Sequence, residues 1–192
     1  MRDVPGSRLL VFIAIAGLGC AVDLATKHWI FQRLGFPQQE TIWLVPDVLS
    51  LETSLNEGAL FGVGQGFTFV FAALSLAAGV WIVYWLFARG AARDLWLTVA
   101  LAAIMAGILG NLYDRLGFPG LTWPFATPEH EVGDRVFAVR DWIHFKYKSF
   151  DWPVFNIADS LLVCGAGLLL RETFRKEQHS DEPSGEPART SP

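Results

Sequence analysis

Four stretches of the chain stay apolar long enough to cross a bilayer, and the few polar positions near their ends recur at helical spacing. Leu9 to Val22, Phe67 to Ala88, Leu95 to Leu112 and Val154 to Leu170 carry few polar groups, and a spanning helix needs about 20 predominantly apolar residues. The pattern predicts helices over about 9–30, 67–88, 95–113 and 154–170. Phe67 to Ala88 has no charged side chain, which separates it from a helix in the core of a soluble bundle. Between the spans, Thr41 to Val45 and Val48 to Thr53 have the β-branched and alternating character of short strands, so a small sheet is expected in the first long loop, residues 31–66.

Composition agrees with this picture: 52% of the 192 residues are hydrophobic and 18% are charged, which is rich for a soluble domain. The N-terminal run, with Arg2 and Arg8 before it and Gly19-Cys20 at its end, has the outline of a cleavable secretory leader. It is read instead as a retained span, because Gly17 stands where an aliphatic residue would precede the cut. Asp23, Thr26 and Lys27 also continue the same helix. Residues 1–175 are expected to form one transmembrane domain. Residues 176–192, rich in acids and proline and lacking aromatics, are expected to be a disordered tail.

Arg2, Arg8, Arg89, Arg93, Arg171, Arg175 and Lys176 crowd the span ends on one side, so both termini are expected to be cytoplasmic. Asp23, Lys27, Asn111, Asp114, Asn156 and Asp159 then fall together at the outer leaflet. Asp23 and Lys27 are i,i+4; Gly107, Asn111 and Asp114 are i,i+4,i+7; Asn156 and Asp159 are i,i+3. Each set makes one polar stripe. Ionisable groups inside a bilayer are costly and by default mark a site facing the bundle interior. Trp123, Trp142 and Trp152 suit an interfacial belt, and the chain has no basic stripe that would bind nucleic acid.

Several chemistries drop out. No Gly-x-Ser-x-Gly elbow occurs, and Cys20 and Cys164 sit in apolar runs. Glu129-His130-Glu131 lacks the second histidine of a metalloprotease helix. Carboxylates remain: Asp114, Asp141 and Asp159. Two that meet in a poorly solvated place share one proton, so that one acts as acid while the other activates water. Asp114 precedes Arg115, a cation expected to pair with it and keep it ionised, whereas Asp141, in an extended segment, is expected to turn inward with Trp142 outward. On these residues alone, an aspartic hydrolase and a small proton-coupled transporter both stand.

The chain resembles the lipoprotein signal peptidase (signal peptidase II) family. The resemblance is carried by Asp23-Leu24-Ala25-Thr26-Lys27, Asn56-Glu57-Gly58-Ala59-Leu60-Phe61, Gly107 to Arg115, Val139-Arg140-Asp141-Trp142-Ile143 and Phe155-Asn156-Ile157-Ala158-Asp159-Ser160. It implies an all-α membrane protein with four transmembrane helices, a small periplasmic β-sheet and a long outer loop, set in the bacterial inner membrane. The implied activity is an intramembrane aspartic endopeptidase that removes the signal peptide from diacylglyceryl-modified prolipoproteins, cutting before the lipidated cysteine. By the same resemblance Asp141 and Asp159 form the catalytic dyad. Asn56, Gly58, Asn111, Asp114, Arg115 and Asn156 hold substrate or brace the dyad, and Asp23 with Lys27 supports the first helix. No metal or organic cofactor is expected, and a monomer whose partners are membrane lipid and the prolipoprotein signal peptide is.

Two features depart from the family pattern. Asp114 and Asp141 stand 27 residues apart, which implies an insertion around residues 118–137. Its proline, glycine and acidic content reads as a surface excursion. Arg140 also stands where the family often has an apolar residue.

Overall fold

The computed structural model describes residues 4–58 and 64–180, with side chains to residue 175. The N-terminal apolar run forms α1 (Gly6–Leu34), longer at both ends than its apolar stretch. Two antiparallel strands follow, β1 (Thr41–Val45) and β2 (Leu49–Asn56), where the strand-like pattern lay. The charge-free run is α2 (Thr68–Val83), extended by a π turn at Tyr84–Ala88. A short 3₁₀ turn at Ala91–Arg93 leads to α3 (Leu95–Arg115), whose N-cap Asp94 accepts from the Leu97 N–H at 3.1 Å. The chain ends in β3 (Val139–Tyr147), β4 (Phe150–Phe155) and α4 (Ile157–Ser180).

Three of these helices, Gly6–Leu34, Thr68–Ala88 and Leu95–Arg115, are long and apolar enough to cross a membrane. Their surfaces agree, since Leu10, Leu18, Val80 and many other large apolar side chains point outward where water would penalise them. α4 begins at residue 157 instead of 154 and continues to Ser180. Residues 176–180 of the expected tail lie in this helix, and 181–192 lie outside the described residues.

α3 is the central helix, packed by α1, α2 and α4, and it is the most buried of the three apolar helices. Its inner faces are lined with small residues, Ala102, Ala106, Gly107 and Gly110, which let neighbouring backbones come close. Away from the sheet, Phe12 and Ala16 of α1 pack with Ile82 and Leu86 and with Leu101, Met105 and Ile108 of α3. At the other end Leu51 and Trp142 pack on Ile30, Phe31 and Leu34 of α1, which docks the sheet on the bundle.

The sheet has four strands, not two, in the antiparallel order β1-β2-β3-β4. β3 and β4 were not legible as strands. Val139 to Trp142 is buried throughout and shows no alternation, and Pro153 reads as a boundary although an edge strand tolerates it. Trp142 was expected to face outward at the interface, opposite Asp141; it is 9% exposed and sits in the sheet–α1 core.

The insertion is an ordered hairpin. Thr122 bridges Arg135, the Trp123 N–H donates to the Asp134 carbonyl, and the Arg135 guanidinium donates to the Gly117 carbonyl through Nε at 2.9 Å and Nη2 at 2.7 Å.

Candidate active site

Five segments converge where the sheet meets the helix ends: the last third of α1, the end of β2, the last turns of α3, the start of β3 and the first turn of α4. Asp23, Lys27, Asn111, Asp114, Arg115, Asp141 and Asn156 are all buried there, and Asp159 is half-buried.

The start of α4 sets Asp159. Asn156 precedes the helix, its Oδ1 accepts from the Asp159 N–H at 2.9 Å, and Asp159 Oδ2 accepts from the Asn156 N–H at 3.2 Å. This is a reciprocal capping box, with asparagine and aspartate in the two roles. The intervening Ala158 N–H donates to Asp23 Oδ1 at 2.9 Å. Asp23 of α1 thus caps the first turn of α4 with one oxygen while the other pairs with Lys27 of its own helix. Gly110 permits this approach, because a Cβ there would collide with the Asp23 carboxylate.

Asn156 also joins the two candidate catalytic groups. Its Nδ2 donates to Asp141 Oδ1 at 2.6 Å and to Asn111 Oδ1 at 3.1 Å. Asn111 Nδ2 in turn donates to Asp159 Oδ1 at 2.8 Å. Asn56, at the end of β2, donates to Asp141 Oδ2 at 3.3 Å. Each carboxylate is therefore oriented by two donors.

Behind them lies a set of buried charges. Lys27 Nζ is 2.8 Å from Asp23 Oδ2, 3.1 Å from Asp114 Oδ2 and 2.9 Å from Asn111 Oδ1. Asp114 Oδ1 also receives Arg140 Nε at 2.9 Å and Nη2 at 2.8 Å, while its Oδ2 accepts the Arg140 backbone N–H at 3.1 Å. Asp23 and Asp114 are thereby each matched to a cation, so neither acid is left buried and unpaired. Asp114 was expected to pair with Arg115. Its partners are Lys27 and Arg140, and Arg115 donates to the Gly58 carbonyl at 2.8 Å. Sequence reasoning missed Arg140 as a site residue; an unmatched arginine beside the key aspartate was the available signal.

Burial raises the Asp141 carboxyl from its ordinary value of 3.8 to about 8, and the Asp159 charge adds to the rise. Lys27 and the hydrogen bonds from Asn156 and Asn56 oppose it without prevailing. Asp141 therefore carries a proton at neutral pH. Asp159 opens on a cleft of about 320 Å³ walled by Asn56, Phe155, Val163 and Cys164 among others. A protonated carboxyl fixed near a second carboxyl at the edge of an apolar cleft can activate water without a metal. Of the Asn56–Phe61 motif, Asn56, Glu57 and Gly58 take part as described, and Ala59 to Phe61 lie outside the described residues.

Comparison with known proteins points the same way. The model of the family described as signal peptidase (SPase) II matches residues 15–175. A lipoprotein signal peptidase of Rhodopirellula baltica is 45% identical over 172 residues, covering 88% of this chain and 74% of the relative. One from Rhodococcus jostii is 36% identical over 163 residues, covering 85% and 71%. Among solved structures, a bacterial membrane enzyme determined by the in meso method at 2.3 Å resolution superposes with a TM-score of 0.73 at 26% identity, covering 95% of this chain and 96% of its own.

Proposed function

The chain belongs to the signal peptidase II family, and we propose that it removes signal peptides from prolipoproteins by a water-mediated aspartic mechanism in which Asp141 and Asp159 are the catalytic pair. The peptidase activity is that of the family, and it sets the transporter reading aside. One observation carries the assignment of the pair: Asn156 touches both carboxyl groups, and the buried Asp141 holds its proton to about pH 8.

In the resting pair Asp141 is the acid and Asp159 the base. Donors from Asn111 and the Asn156 backbone orient Asp159. Asp159 takes a proton from a water, the resulting hydroxide attacks the scissile carbonyl, and Asp141 gives its proton to the carbonyl oxygen as that oxygen becomes tetrahedral. On collapse Asp159 gives the proton taken from water to the leaving amine while a hydroxyl of the tetrahedral diol returns a proton to Asp141 as it becomes the carboxyl product, so the pair ends with the single proton it began with. Burial of Asp141 makes the arrangement work, because a pair fully surrounded by water would lose the shared proton and both groups would ionise.

The cleft beside Asp159 is apolar along α4, which suits a lipidated cysteine and the greasy residues before it. Asn56, Gly58 and Arg115 lie where a substrate backbone would pass. The helix α4 serves as a fourth span and both termini are cytoplasmic, which puts the sheet and the insertion on the periplasmic side of the bacterial inner membrane. Residues 1–175 make one domain, which works as a monomer and meets lipid over its apolar flanks.

The test is cleavage of a diacylglyceryl-modified preprotein by the purified protein in bilayer discs, with the product mapped by mass spectrometry. The expected product begins at the modified cysteine, and unmodified precursor stays intact. Cutting at another bond, or equal cutting of the unmodified precursor, would contradict this reading.

A further inference from the structure

Glu57 directly follows Asn56, and the segment they begin is gripped from several sides. The Glu57 N–H donates to Gln65 Oε1 at 3.1 Å, and its carbonyl accepts from Thr68 Oγ1 of α2 at 2.8 Å. The next carbonyl, of Gly58, accepts from Arg115 of α3. Asn56 Oδ1 accepts from the Gly58 N–H at 2.9 Å and from Gln65 Nε2 at 3.3 Å, while its Nδ2 reaches Asp141.

The Glu57 side chain turns the other way, into the insertion. His130 Nε2 lies 2.7 Å from Glu57 Oε1. The imidazole is itself held, with its ring stacked on Trp123 at 4.5 Å and an 11° interplanar angle. Its backbone N–H donates to Thr127 Oγ1 at 3.1 Å. Trp123 meets Phe36, just past the end of α1, edge to face at 5.4 Å. A rigid path therefore runs from α1 through Trp123 and His130 to Glu57 and, one residue on, to the group that touches Asp141.

We propose that the insertion hairpin is a strut for the catalytic segment and that His130, acting through Glu57, is a positioning residue for Asn56 at the dyad. This rests on the peptidase reading of the site. Apart from His130, the grips on Glu57 and Gly58 take hold of backbone, and the Asn56 to Asp141 bond, at 3.3 Å, is near the limit for a hydrogen bond. A small rotation about the segment would break it. A side-chain anchor pulling from the far side opposes that rotation. The pair borders a cleft of about 790 Å³ shared with Glu129, Asp134 and Arg135, so water screens it and the effect on rate is moderate.

The experiment measures steady-state cleavage of the diacylglyceryl-modified preprotein by the full-length protein in bilayer discs. His130→Ala should lower kcat about three- to fivefold, the scale of one partly screened hydrogen bond acting at one remove, with KM within about twofold. Glu57→Ala should do the same, and the double variant should be no slower than the slower single one. Losses that multiply in the double variant, an unchanged kcat in His130→Ala, or a loss confined to KM would each overturn the proposal. Should His130→Ala fail to fold, His130→Phe keeps a ring on Trp123 and removes the hydrogen bond to Glu57: a drop in kcat of about twofold or more supports the strut, and an unaltered kcat refutes it. Failure of the unsubstituted protein to cleave would instead sink the peptidase reading itself.

Discussion

Replacing Gly107 by alanine perturbs the catalytic turn without touching a catalytic group. A Cβ at position 107 falls 2.5 Å from the Ala158 carbonyl oxygen and 2.6 Å from Leu162 Cγ, whereas ordinary contact begins at 3.4 Å. The leucine can rotate away. The carbonyl cannot, because Ala158 is fixed through its N–H by Asp23 and lies inside the Asn156–Asp159 capping box. α3 and α4 must therefore part by about 0.9 Å, the difference between 3.4 and 2.5 Å, and Asp159, the next residue, moves with the turn. Overpacking of this kind costs about 1–3 kcal/mol of stability. Displacing a reacting group by about 1 Å can cost about 100-fold in rate. Cleavage of a modified preprotein by purified Gly107→Ala should be slowed more than about tenfold in kcat, with helical content retained by circular dichroism. Gly167→Ala, on α4 with nothing within 4 Å of the added methyl, is the control for a helical glycine changed without a clash and should behave like the parent. A Gly107→Ala protein with kcat within about threefold of the parent would show that the tight α3–α4 approach does not set the geometry of Asp159.

Activity should fall on the alkaline side with a midpoint near pH 8, as the proton held by Asp141 is lost; a pH–kcat profile flat to pH 10 would contradict this. The same shift makes the folded state hold a proton that the unfolded chain releases between its ordinary value of 3.8 and about 8. Stability should therefore decline as pH rises through that window, and Asp141→Asn should flatten the slope in a pH series of melting temperatures. Arg140→Met leaves the buried Asp114 with Lys27 as its one cation and should cost about 3 kcal/mol of stability. Combining it with Asp114→Asn should recover part of that loss in a denaturation series, and strictly additive losses would refute the pairing. Reporter fusions at the C-terminus should be active only on the cytoplasmic side, and activity on the outer side alone would reverse the orientation.

Apolar run length alone placed the helices, and β-branched alternation placed the first two strands. What escaped has physical reasons. Asp114 was paired with Arg115 because they are neighbours in sequence, yet consecutive residues on a helix point in different directions, and its actual partner lies 26 residues on in β3. Trp142 was turned outward by a strand rule that assumes one wet face, whereas Val139 to Trp142 is covered on both. The Asn156-x-x-Asp159 capping box was readable as a motif at a helix start but was taken only as a polar stripe. The segment 118–135 is at the surface, as its loop-like composition suggests; what the composition does not show is its ties to Gly117, Phe36 and Glu57, which are tertiary and leave no local pattern.

The catalytic pair is tested most directly by single-turnover cleavage of a diacylglyceryl-modified preprotein with three folded variants. Asp141→Asn and Asp159→Asn should each yield no product while still binding substrate, because neither carboxyl can take the other's role. Asp114→Asn should be less stable yet retain measurable cleavage. Near-normal turnover by Asp141→Asn beside an inert, folded Asp114→Asn would contradict the account and move the dyad to Asp114 and Asp159.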